Sequence, residues 1–216
     1  MFSTDTTERE SVLITTGPAI LAGRLNTPPD AIAVVILVNG LGTMKHETAD
    51  PFAARLNDAL FSTLCVDLMT PDEAQFDSRT GHFSGDAELQ SERILTIADW
   101  LRENPSTSRL PIAAVAGGWA GRGLLRSAAA DSSSLRAIVV DATVKPSDVP
   151  DGLAIPLLLF MQDDAIEMRR AQAVSESLAG PATLRVLSSV EAARSINPIY
   201  SDAAGVIAAE WLSGHV

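Results

Sequence analysis

The residues best placed to carry chemistry lie in one glycine-rich segment: Ala116, Gly117, Gly118, Trp119, Ala120, Gly121 and Arg122. It follows a short apolar run, Ile112 to Ala116, and leads into Leu124, Leu125 and further small residues. That pattern predicts a buried strand turning sharply into a helix. A nucleophile elbow has this form: it exposes one reactive serine or cysteine between small residues, because its strained backbone leaves no room for neighbouring β-carbons. Here the reactive side chain is missing. Read as a bare G-x-S-x-G, Gly117 and Gly121 frame Trp119, and an indole does not attack a carbonyl. Trp119 reads either as a cover for a ligand pocket or as a partly buried packing residue. Ser127 falls inside the elbow helix beyond its first turn. Cys65 sits in the apolar run Thr63 to Met69 and reads as core, where a thiol is inert.

Other candidates are thinner. Asp163 and Asp164 precede a predicted helix, Ala165 to Leu178; they read as a solvated loop with a helix cap or as an acid turned into a pocket. His46 and His82, with Glu47, Asp50 and Asp77, lack any metal-ligand spacing such as H-x-x-x-H or C-x-x-C and read as ordinary loop residues. The glycines offer neither G-x-G-x-x-G nor GK[ST], so no phosphate cradle follows from them. No metal and no cofactor is expected.

The elements that must position these residues alternate along the chain. Ser11 to Leu25 predicts a hairpin around Gly17-Pro18 at a sheet edge. Ala31 to Val38 is an aliphatic run covered on both faces, ending in Asn39-Gly40-Leu41-Gly42. A helix from Thr48 to Ala59, a strand from Thr63 to Met69 and a helix from Ala87 to Glu103 follow. Between the last two, the polar stretch Thr70 to Gly85 with His82 reads as a lid or rim loop. Beyond the elbow come strands at Leu135 to Ala142, Pro156 to Met161 and Thr183 to Ser188, with helices at Ala165 to Leu178 and Ser201 to Leu212. The expected fold class is α/β: a three-layer α/β/α sandwich on a mostly parallel sheet, in a single domain over 1–216.

Composition narrows the partners. A formal charge of -11 opposes binding to nucleic acid or an anionic membrane, since both need a basic face. One cysteine allows no intramolecular disulfide. The polar, acidic start MFSTDTTERESV is unlike a signal peptide and no apolar run is long enough to span a bilayer, so a cytoplasmic location is expected.

The entry hairpin ending in LAGRLNTP, then VVILVNGLGTMKH, VDLMTPDE, RTGHFSGD and the elbow, in that order and spacing, resemble the α/β-hydrolase superfamily and within it the dienelactone-hydrolase-like group. The resemblance spans about Val12 to Leu212 and implies the α/β-hydrolase fold with little or no cap. Aligned on that group's G-F-C-W-G-G-R elbow, Gly118 stands where the nucleophile belongs. The resemblance further implies an acid at Asp164 and a base in the loop after the last strand, where Ala192 or a neighbour stands and no histidine occurs. His215 follows the closing helix. Asn39, Gly40 and Leu41 match the group's oxyanion loop, with the amides of Leu41 and Trp119 at its oxyanion hole, and His46 and His82 fall on the same face. Losing nucleophile and base together removes the covalent route. The expectation is a non-hydrolytic homologue that retains a pocket for a small-molecule ligand or a partner. The alternatives are a hydrolase or lyase of a small ester or lactone working through Asp164, His46 or His82, and a homodimer-forming structural partner.

Overall fold

Among the described residues, eight strands form one sheet in the order β1-β2-β4-β3-β5-β6-β7-β8. The computed structural model describes residues 8–39, 49–187 and 198–216. The strands are β1 (Glu8–Thr16), β2 (Ala19–Thr27), β3 (Ala33–Asn39), β4 (Phe61–Asp67), β5 (Ile112–Ala116), β6 (Ala137–Asp141), β7 (Leu157–Gln162) and β8 (Ala182–Leu187). β1 and β2 make an antiparallel hairpin that turns at Gly17, with φ of +59°. β2 also meets β4 antiparallel, and every pairing from β4 onward is parallel.

Strands β3, β5, β6 and β7 have no polar side chain before their last residue, because both faces are covered. With side chains alternating, Val34, Ile36, Val38, Ala114, Ala116 and Val140 enter one core. Val35, Leu37, Ala113, Val115 and Val139 enter the other. The first core is closed by α4 (Ala87–Glu103), α5 (Ala120–Ala130) and α6 (Ala165–Glu176), through Ile94, Leu101, Leu124, Leu125 and Val174. The second is closed by α1 (Asp50–Asp58) and α7 (Asp202–Ser213), through Phe52, Leu56, Ala204 and Leu212. The expected three layers are thus present, and no described helix is long and apolar enough to cross a membrane.

The polar stretch after β4 departs from the expected loop. It holds two short helices, α2 (Pro71–Thr80) and α3 (His82–Gly85). The reason is local chemistry: Thr70 and Glu73 form a reciprocal capping box, Pro71 sits in the first turn, and Gly81 closes α2 with φ of +62°. The T-x-x-E spacing was visible in the sequence but was masked by a charged, nearly apolar-free composition.

Candidate functional site

At the carboxyl ends of the central strands, β5 ends at Ala116 and α5 begins at Ala120, so the chain reverses within three residues. Gly118 makes that possible, with φ of +62°, a conformation that glycine enters without steric cost. Trp119 is already helical in backbone angle; its ring is partly buried against the core that includes α4 and α5. The helix lies close to its neighbours because it is built from small residues. A β-carbon on Gly121 would meet Val144 Cγ1 at 2.8 Å, and one on Gly123 would meet Gln90 Cβ at 2.4 Å.

The turn is held from β6. Ala116 pairs with Val140, which brings Asp141 level with the elbow. The Gly118 amide donates to Asp141 Oδ2 at 2.9 Å, and the Thr143 amide donates to Oδ1 at 3.1 Å. The Thr143 hydroxyl lies 3.0 Å from the Gly118 carbonyl and also within reach of Asp141 Oδ1. Burial pushes the Asp141 carboxyl above the ordinary carboxylate range, against the lowering pull of the Thr143 hydroxyl and the two amides. The Thr143 hydroxyl has a single proton, to give either to the Gly118 carbonyl or to Asp141 Oδ1.

Tyr200 supports the turn from the other layer. Its ring is buried, 2% exposed, and packs edge-on to Phe52 with centroids 5.7 Å apart. The phenol reaches the Val38 carbonyl and lies 3.4 Å from that of Val115, at the ends of β3 and β5. Burial drives this phenol well above its ordinary value, with the charge of Asp141 adding to the effect. Asp141, Thr143 and Tyr200 were missed in the sequence. For Asp141 a signal existed: a lone acid closing the apolar run AIVVD on a central strand, where open α/β sheets place their ligands.

The remaining sequence candidates lie as follows. Asp164 is exposed and caps α6, accepting the amides of Ile166 at 2.9 Å and Glu167 at 3.1 Å; Asp163 beside it is exposed. His82 is exposed at the start of α3, edge-on to Phe76 and Phe83. That turn is tied to the elbow helix by Arg122, whose Nη2 donates to the Ser84 carbonyl at 2.8 Å. His215 stacks on Trp211 after α7. The backbone of Asn39 ends β3 opposite Asp67. Gly40, Leu41, His46 and Ala192 lie outside the described residues. Ser127 is buried, its hydroxyl donating to the Leu124 carbonyl at 2.9 Å. Cys65 is buried and its thiol is pushed up to about 11 by that burial. Among the described residues, no group of three or more His, Cys, Asp or Glu side chains could hold a metal ion.

No family model matches the chain. Two Mycobacterium tuberculosis proteins, from strains CDC 1551 / Oshkosh and ATCC 25618 / H37Rv, are 32% identical over 173 residues, 76% of this chain. Both carry the provisional name of phosphoribosyl transferase, and the chain spans only 38% of their length. Among solved structures, a dienelactone hydrolase from Anabaena variabilis ATCC 29413 is 25% identical with a TM-score of 0.85, over 97% of this chain and 99% of that one. A dienelactone hydrolase-like promiscuous phosphotriesterase from metagenomic libraries shares the fold at 19% identity, with a TM-score of 0.69 over 96% of this chain and 95% of its own. With this strand order, a strand-turn-helix elbow and an end-to-end structural match of this quality, the chain has the α/β-hydrolase fold and is similar in structure to dienelactone hydrolase.

Proposed function

We propose that this chain is a non-hydrolytic dienelactone-hydrolase-like protein that uses the carboxyl end of its sheet to bind a small-molecule ligand. The observation that carries the reading is Gly118: the residue with φ of +62° between β5 and α5 is the position from which an elbow presents its nucleophile, and it has no side chain. The same angle favours the register that equates Gly118, rather than Trp119, with the family's serine or cysteine. The loop after β8 contains no histidine in the sequence, so a base to activate a substitute is missing from the place the family keeps one. Hydrolysis of short-chain aryl esters and of a dienelactone tests this. Wild type should match buffer, while a Gly118→Ser, Ala192→His double variant should gain turnover. Turnover by wild type well above buffer overturns the reading.

Asp141 favours a second reading, a hydrolase or lyase acting on a small ester or lactone without a covalent intermediate. A carboxyl group with raised proton affinity on the elbow turn suits general acid or base work. In that case wild-type turnover exists and falls at least about a hundredfold in Asp141→Asn. The transferase name of the mycobacterial relatives we assign to the part of those proteins that the match does not reach. The support is that the matched stretch corresponds here to a hydrolase-type sheet.

A further inference from the structure

A second cleft lies at the opposite end of the sheet, where β5 and β6 begin. Arg102, Arg109, Pro111, Ser133, Arg136 and His215 are among its lining residues, and its volume is 650 Å³. That is the size range of small-molecule sites. Three arginines and a histidine reach it from four separate places: the last turn of α4, the segment before β5, the segment before β6, and the residues after α7. This convergence stands against the overall charge of -11.

The two acids beside these arginines, Asp99 and Asp131, have partners of their own. Arg102 is engaged: its Nη1 lies 2.6 Å from Asp99 Oδ1. Asp131 nearby is also committed, accepting the Ser133 amide at 2.9 Å, the Ser133 hydroxyl at 2.6 Å and the Ser134 hydroxyl. Those bonds, with Arg102, hold its carboxyl down at about 2. Arg109 and Arg136 are exposed, and no ion pair joins either of them to a described residue. His215 Nδ1 lies 2.7 Å from the Trp211 carbonyl, an acceptor only, so Nδ1 carries a proton, and Nε2 donates to an anion only in the doubly protonated ring.

We propose that this cleft binds a small polyanion of the phosphate-ester or pyrophosphate class. Two guanidinium forks on different segments call for a ligand bearing negative oxygens at more than one point. Guanidinium matches phosphate oxygens in bidentate geometry. The five residues of β5 separate this cleft from the elbow by about 16 Å, so the site is independent of whatever the elbow binds.

Titration calorimetry of the whole chain with pyrophosphate at low salt tests the proposal. Saturable one-site binding is expected, weakened about tenfold or more in Arg109→Ala, Arg136→Ala and unchanged in Arg169→Ala, Arg185→Ala, whose arginines lie elsewhere on the surface. A Gly118→Ser variant should bind pyrophosphate like wild type, which separates this result from the fate of the elbow reading. Citrate serves as the polycarboxylate control. No saturable heat, equal weakening in both double variants, or citrate binding as tightly as pyrophosphate overturns the assignment.

Discussion

Replacing Asp141 tests whether the elbow turn rests on a neutral or a charged carboxyl group. In Asp141→Ala the Gly118 and Thr143 amides, now bonded at 2.9 and 3.1 Å, lose their acceptor. Thr143 is exposed and its amide can turn to water, whereas Gly118 is partly buried. The loss is therefore nearer one full hydrogen bond than two, about 1–2 kcal/mol, or roughly 2–8 °C in melting temperature for a chain of this size. Asp141→Asn keeps an acceptor for the Gly118 amide and turns its NH2 toward Thr143, whose exposed amide is left to water, and it never has to bury a charge. The sign of the pH dependence follows from the raised carboxyl. A native state that holds the proton longer than the unfolded chain is favoured below the unfolded carboxylate value, and that advantage is lost as pH rises through the native one. Urea unfolding of wild type and Asp141→Asn between about pH 4 and pH 8 should show the asparagine variant gaining on wild type as pH rises through that window, then running parallel. If Asp141→Asn instead loses ground as pH rises, the native site prefers the carboxylate and the reasoning fails.

Glu73→Ala should cost about 3–5 kcal/mol in denaturant unfolding, because Arg93, 4% exposed, would keep its charge without the paired oxygens now at 2.6 and 2.8 Å. Burial alone would raise the Glu73 carboxyl, yet the bonds from Arg93 and Thr70 outweigh it and hold the group below its usual value. Wild type should therefore lose this contribution as pH falls through that lowered value, and a pair worth under about 1 kcal/mol at neutral pH would contradict the buried geometry. Cys65, buried on β4 with its thiol pushed up to about 11, should resist an aromatic disulfide reagent in the native state and react fully in urea. Rapid native labelling would mean that β4 opens.

The sheet was legible because burial on both faces leaves a direct trace: runs such as AVVILVN and IAAVA have no polar side chain before their ends. The hairpin at Gly17-Pro18 and the helix Ala87–Glu103 were legible for similar reasons, periodicity and turn chemistry. The helices after Thr70 were not, because they bury no residue completely and so carry no apolar stripe; their signal is a cap. The site was half legible. Gly118 could be placed from its neighbours in the chain, but Asp141 and Tyr200 come to the turn from 23 and 82 residues away, through strand register and the packing of the opposite layer. No local pattern encodes either approach.

The glycine spacing has a packing reason that is separate from any chemistry at the turn. Gly121 and Gly123 answer to Val144 and Gln90, whose atoms would lie 2.8 and 2.4 Å from an added β-carbon, and overpacking at such contacts costs about 1–3 kcal/mol each. They are required by the seating of α5, whether or not the turn before it does chemistry. Gly118 answers to the turn, where its φ is +62°. A serine or cysteine there would bear the cost of a left-handed backbone for the sake of a reactive side chain, whereas glycine meets the same angle free of that strain. On the proposed reading, with no base after β8, nothing requires a nucleophile at the turn, while the packing of α5 still requires its two glycines. The segment then keeps the outline of an elbow, with glycine at its one strained position and Asp141 holding the amide in place.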